Sequence, residues 1–122
     1  MLLALGVTLA AGVGAVCRYA LDQVVQHRTA GELPYGTFFI NVSGSLLLGL
    51  VLGLQVHHGL AVDATLVIGA GFAGGFTTLS TWAWETLALA ESGDLTAASW
   101  NVVGSFTAAL LAAAGGFGLA LL

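Results

Sequence analysis

Long apolar runs separated by short polar interruptions make up the whole chain, and the interruptions fall where the few charges are. Arg18, Asp22, Arg28, Glu32, Asp63, Glu85, Glu91 and Asp94 are all the charged side chains present. Four apolar runs lie among them, at about 2–21, 36–56, 64–89 and 95–122. Each reaches the roughly 20 mostly apolar residues that a helix needs to cross a bilayer core. The pattern predicts an all-α membrane protein of four transmembrane helices, with 1–122 forming one domain. No basic residue precedes the first run, and Arg18-Tyr19 stands at its end where a leader would carry a small-residue cleavage site. That run is read as a retained helix.

The connections at His57–Asp63 and Glu91–Asp94 are short, which makes successive helices antiparallel neighbours in a bundle. The stretch Asp22–Tyr35, with Pro34 and the polar run Gln26-His27-Arg28-Thr29, is the longest loop, with room for a short amphipathic helix. Eighteen glycines punctuate the spans. Pairs four apart, Gly49 with Gly53 and Gly71 with Gly75, have the spacing that lets helices approach closely in lipid.

Composition sharpens this picture. The chain is 58% hydrophobic and 7% charged, with a mean hydropathy of +1.01. Soluble domains run at roughly 25% charged, so a water-soluble fold is excluded. The net charge of −4 comes from scattered acids, which argues against nucleic acid as a partner. Cys17 is the single cysteine, so no intrachain disulfide can form. Arg18 and Arg28 alone carry the positive-inside signal. With so weak a bias either insertion direction is open, and a chain that inserts both ways can pair with an inverted copy of itself.

Candidate chemistry concentrates in the second and third spans. Thr37, Asn41 and Ser45 recur every four residues and share one helix face. Three polar groups in register read as the wall of a polar path, whereas a single one reads as interhelical glue. The run from Gly69 to Trp82 places four glycines and four hydroxyls in the middle of a crossing. Glycine costs about 1 kcal/mol per helix position relative to alanine, so the expectation is a broken third helix, with the break between Gly74 and Thr78. Backbone freed at that depth must line a cavity, hold an ion or be buried in protein. The competing reading is a continuous, glycine-softened helix with back-bonded threonines. Gly69-x-Gly71-x-x-Gly74 also matches the dinucleotide fingerprint in letters, but no βαβ unit fits a membrane-spanning run. Glu85 is either a helix-end carboxylate or the mouth of a polar path. Asn101 and Ser105 stand four apart in the fourth span, and Arg18 closes the first where it can snorkel. No Ser/His/Asp or Cys/His arrangement suggests catalysis, and the protein is read as not an enzyme.

Gly14-Ala15 with Arg18-Tyr19, Gly36-Thr37 with Asn41, Gly44 and Ser45, and Gly71-Phe72-x-Gly74-Gly75-Phe76-Thr77-Thr78-x-Ser80-Thr81 together resemble the Fluc, or CrcB, family of fluoride channels. The likeness covers all four spans. It implies passive export of cytoplasmic fluoride and fluoride resistance, through two pores at the interface of an inverted, dual-topology dimer in a bacterial plasma (inner) membrane. It implies a structural Na+ at the centre, with Gly74 and Thr77 supplying backbone carbonyls. Asn41 would be the pore amide, Thr37, Ser80, Thr81 and Ser105 polar wall groups, Glu85 the acidic residue beyond the motif, and Arg18 the first-span arginine. The chain departs from the family pattern at Leu79 and Trp82, where phenylalanines are expected at ring-edge positions, and at Asn101, where many members carry tyrosine. Those departures open the alternative of a subunit that conducts only as a heterodimer with a paralogue, or not at all. A small dual-topology multidrug exporter is the other alternative, although that class resembles carriers of a first-span glutamate, and this first span has no acid.

Overall fold

The computed structural model describes residues 1–28 and 33–122. Of the expected long loop, Thr29 and Glu32 lie outside the described residues. The first helix, α1 (Leu2–Arg28), runs through Asp22 and the polar stretch to Arg28, seven residues beyond the expected end of its span. Gln26 Nε2 donates to Asp22 Oδ2 across one turn at 2.9 Å, a local pairing that lets polar sequence continue the helix. The loop reading of 22–28 is thereby corrected.

Helix α2 (Tyr35–His58) starts directly after Pro34, which has no N–H to lose at a helix entry. It stops at Gly59, whose left-handed backbone (φ 69°) turns its N–H onto the Leu54 carbonyl. The third span is composite. It comprises α3 (Val62–Thr65), a widened π segment (Leu66–Ala73), the single turn α4 (Gly74–Phe76) and α5 (Leu79–Glu91). The last helix, α6 (Leu95–Leu119), is capped by Asp94, whose carboxylate accepts from the Ala97 N–H at 2.9 Å. Among the described residues, four helical stretches are long and apolar enough to span a membrane.

The third helix is broken within the expected Gly74–Thr78 stretch, at its far end. Gly74 and Gly75 remain helical, and the chain becomes extended at Thr77 (φ −76°, ψ 159°) and Thr78 (φ −145°, ψ 122°). The glycines serve packing. A Cβ at Gly75 would lie 2.2 Å from the Ala11 carbonyl oxygen, and one at Gly14 would lie 2.3 Å from that of Phe72, so bare backbone lets α1 lie against α4 and the π segment. The same device joins α2 to α6, where a Cβ at Gly49 would fall 1.9 Å from the Ala113 oxygen. Both sequence readings of the third span therefore hold in part. Thr77 Oγ1 does bond back to the Ala73 carbonyl at 2.9 Å, and the helix still breaks at that residue.

Large apolar side chains point outward along α1 and α6, among them Leu5, Leu9, Val13, Leu110 and Leu111. In water they would form an aggregating surface; in hydrocarbon they are the solvent-facing layer.

Candidate functional site

The break at Thr77–Thr78 frees backbone groups that the helix can no longer pair, and α2 meets that need. Asn41 Oδ1 accepts from the Thr78 N–H at 2.8 Å, and Asn41 Nδ2 donates to the Thr78 carbonyl at 2.9 Å. One amide thus pairs the Thr78 N–H that has lost its ladder acceptor, and adds a donor to the Thr78 carbonyl, at membrane depth, where water is absent. A carboxamide is the side chain that supplies donor and acceptor together, and one Asn41 N–H stays uncommitted. Thr78 then restarts the chain as the cap of α5. Its Oγ1 accepts from the Thr81 N–H at 3.2 Å and donates to Thr81 Oγ1 at 2.9 Å, while Ser80 Oγ sits 3.5 Å away.

Breaking a helix there has an electrostatic result. The first half ends in carbonyls, and among the described residues no backbone N–H outside the helices is recorded on the Gly74 or Thr77 oxygen. The Thr78 N–H has gone to Asn41 and the Thr81 N–H to Thr78. The second half begins with the N–H groups of Leu79 and Ser80. A carbonyl end favours a cation and an N–H end favours an anion, and here the two lie a few residues apart.

A groove of about 570 Å³ runs along this junction. Asn41, Gly74, Thr77, Leu79, Trp82 and Ser105 all line it, together with Ser45 from the α2 stripe. Leu79 is 74% exposed, and a Cβ at Gly74 would touch nothing nearer than 3.9 Å, so this side of the break is open. A second concavity of about 450 Å³ holds Glu85 with Asp22, Gln26, Tyr35 and Trp84. Thr37, only 2% exposed, donates to Glu85 Oε1 at 2.9 Å, whereas Glu85 Oε2 is buried without a partner among the described residues. The α2 stripe therefore does face the third span, from Thr37 on Glu85 through Asn41 on Thr78 to Ser45 in the groove. Arg18, Ser80 and Thr81 line neither concavity; Arg18 is partly buried on α1 and Ser80 is exposed.

Trp82 and Ser105 reach the groove from a network joining α5 to α6. Trp82 Nε1 donates to the Asn101 carbonyl at 2.9 Å, Asn101 Nδ2 donates to Thr86 Oγ1 at 2.9 Å, and Ser105 Oγ donates to Asn101 Oδ1 at 3.2 Å. Thr86 is a residue here that sequence reasoning did not single out, although it lies one turn after Trp82, a spacing that marks a shared face; Thr78 was singled out as the limit of the expected break and not as the group Asn41 would hold.

A broken crossing whose ends gather polar groups from α2 and α6 defines a multi-pass membrane protein built around an interrupted span. Residues 5–117 match the family described as CrcB-like protein, Camphor Resistance (CrcB), and the chain belongs to this family. It is 44% identical over 118 residues to a protein of Leifsonia xyli named Fluoride-specific ion channel FluC 1, covering 97% of this chain and 85% of that one. A Mycobacterium bovis protein named Fluoride-specific ion channel FluC 2 is 42% identical, over 89% of this chain and 83% of its own. Fluoride-specific ion channel FluC of Thermus thermophilus is 37% identical, over 93% and 90%.

Proposed function

We propose that this protein is a fluoride-selective channel that lets cytoplasmic fluoride leave passively across a bacterial inner membrane and so confers fluoride resistance. The observation that carries the reading is the break at Thr77–Thr78, which sets N–H and hydroxyl donors beside an open groove. Fluoride is small and strongly hydrated, so a selective path must replace its water with hydrogen-bond donors. The second Asn41 N–H, on the groove wall and without a partner among the described residues, is such a donor, and the hydroxyls of Ser80 and Thr81 stand at the start of α5 beyond it. The start of α5 adds the positive end of a helix dipole. Fluoride enters cells as neutral HF, ionises inside, and is then driven out by the membrane potential through any path that conducts the anion.

The assembly is an inverted dimer with two pores along its interface. One chain leaves the groove open on the side of Leu79 and Gly74, and a second copy closes it. The family's structural sodium ion fits the residues present: the carbonyls of Gly74 and Thr77, at the end of the interrupted helix, would hold it, and a partner's equivalent pair would complete the cage. Bound there, Na+ supplies a fixed positive charge that ties the two copies together. Thr37 holds Glu85 at one end of the path, and Arg18 contributes cationic charge near an entrance.

One observation favours a second reading. Leu79 projects into the groove and has no polar atom to offer, so a paralogue bearing a donor or ring edge there would make a heterodimer the conducting form. Fluoride efflux from proteoliposomes holding this chain alone, opened with a potassium ionophore and run beside a chloride control, separates the two. Fluoride-selective release supports the homodimer. Its absence from well-folded protein rejects the homodimer, and restoration by a co-reconstituted paralogue establishes the heterodimer.

A further inference from the structure

We infer that Asn101 is a positioning residue that clamps the Trp82 indole to α6, so that Trp82 meets the groove with its carbon-bound ring edge and withholds its N–H. The inference rests on the fluoride-channel reading only for its effect on flux; the clamp itself is read from geometry.

Asn101 is 5% exposed and Ser105 6%. Every polar atom of the Asn101 side chain is engaged: Oδ1 accepts from Ser105, and Nδ2 donates to Thr86 Oγ1 and, at 3.5 Å, to the Trp82 carbonyl. Thr86 Oγ1 in turn donates to that same Trp82 carbonyl at 2.8 Å. The Asn101 main chain receives the indole N–H. Trp82 is therefore held at two points, by its ring nitrogen on the Asn101 main-chain carbonyl and by its own carbonyl on Thr86 and the Asn101 amide, so the Asn101 side chain acts by holding that turn of α6 against α5.

Two donors that the sequence offers to a passing anion are consequently withdrawn from it. The indole N–H belongs to the Asn101 carbonyl, and the Ser105 hydroxyl proton belongs to Asn101 Oδ1. What Trp82 can present to the groove is its electropositive C–H edge. A satisfied buried network of this kind fixes geometry more firmly than its separate bonds would, and it places an aromatic edge on the wall of a groove whose other candidate position is the aliphatic Leu79.

The experiment uses the full chain in nanodiscs with Trp84→Phe and Trp100→Phe, leaving Trp82 as the sole tryptophan. Both replaced residues are exposed and outside the network. In this background Asn101→Ala, which keeps the main-chain acceptor of the indole N–H but removes the side chain that fixes this turn of α6 against Thr86 and the Trp82 carbonyl, should move Trp82 emission to longer wavelength and lower its anisotropy. In proteoliposomes the same change should slow fluoride release about tenfold, the equivalent of one or two net hydrogen bonds. Thr86→Val should act in the same direction, and the double variant should be no worse than the stronger single one, because the residues share one network. Leu89→Ala, which removes α5–α6 packing at a distance from the indole, serves as the structural control; it should lower thermal stability without changing emission. Unchanged Trp82 emission in Asn101→Ala, an equal shift in Leu89→Ala, or additive effects of Asn101→Ala and Thr86→Val would each overturn the proposal. If the parent protein releases no fluoride, the homodimer reading fails while the emission arm still decides the clamp.

Discussion

The two halves of the third span are held in place by opposite means. Upstream of Thr77, the π segment and α4 lie on α1 through bare backbone, with Gly75 against Ala11 and Gly14 against Phe72. Downstream, α5 is tied by side-chain hydrogen bonds, from Glu85 and Thr78 to α2 and from Trp82 and Thr86 to α6. In lipid there is no hydrophobic drive between helices, so close van der Waals approach and satisfied polar pairs are the two attractions left. This protein uses one on each side of its break. The contrast separates a half whose position is fixed by shape from a half whose position is fixed by donors and acceptors, and the groove runs along the second.

Substitutions can break this contrast at different points. Asn41→Leu should have the largest effect, because it strands the Thr78 N–H and strips a donor from the Thr78 carbonyl; at roughly 1–3 kcal/mol for the stranded group and about 1 kcal/mol for the lost bond, about 2–4 kcal/mol is lost. Thermal unfolding in detergent should show it, and fluoride flux should vanish; Asn41→Asp, which keeps the acceptor, should fall between. Gly75→Val tests the shape-held half. Driving a side chain into the Ala11 carbonyl should cost about 1–3 kcal/mol, seen as a lower unfolding midpoint, with Gly14→Val acting alike. Thr37→Val removes the hydrogen bond to Glu85 and should cost about 1 kcal/mol, with Thr37→Ser restoring the midpoint. Gly74→Ala sharpens the comparison by doing least. Open space surrounds that position, so the stability of the single chain should stay within about 0.5 kcal/mol of the parent. A loss of dimer on size-exclusion chromatography in the same variant would mark Gly74 as a contact made between chains.

Much of the fold could be read from the sequence because bilayer thickness sets one length for every crossing, and eight charges sufficed to mark the ends. The Thr37–Asn41–Ser45 stripe was also legible, since helical period alone puts those groups on one face. The break falls inside the expected Gly74–Thr78 stretch, and only which residues within it carry the break was harder to read. Glycine is a weak helix former in water, which points to Gly74; in this fold its missing side chain is used for contact, and the break falls on two threonines because Asn41, 37 residues away, can satisfy one of them. The Trp82–Asn101 clamp joins residues 19 apart across a turn, and helical period says nothing about which groups on two different helices will meet. Polar sequence at 22–28 looked like loop because its pairing, Gln26 on Asp22, lies within the helix itself.

The Asn41 clasp also bears on the order of events during biogenesis. A third span that enters the bilayer before α2 has packed beside it finds no carboxamide for Thr78, and an interrupted backbone would then stand naked in hydrocarbon. Its least costly state at that moment is an unbroken helix. The kink at Thr77–Thr78 is on this argument a late acquisition, opened when two inserted segments find each other, and the maturing protein has no groove until its second and third spans have met.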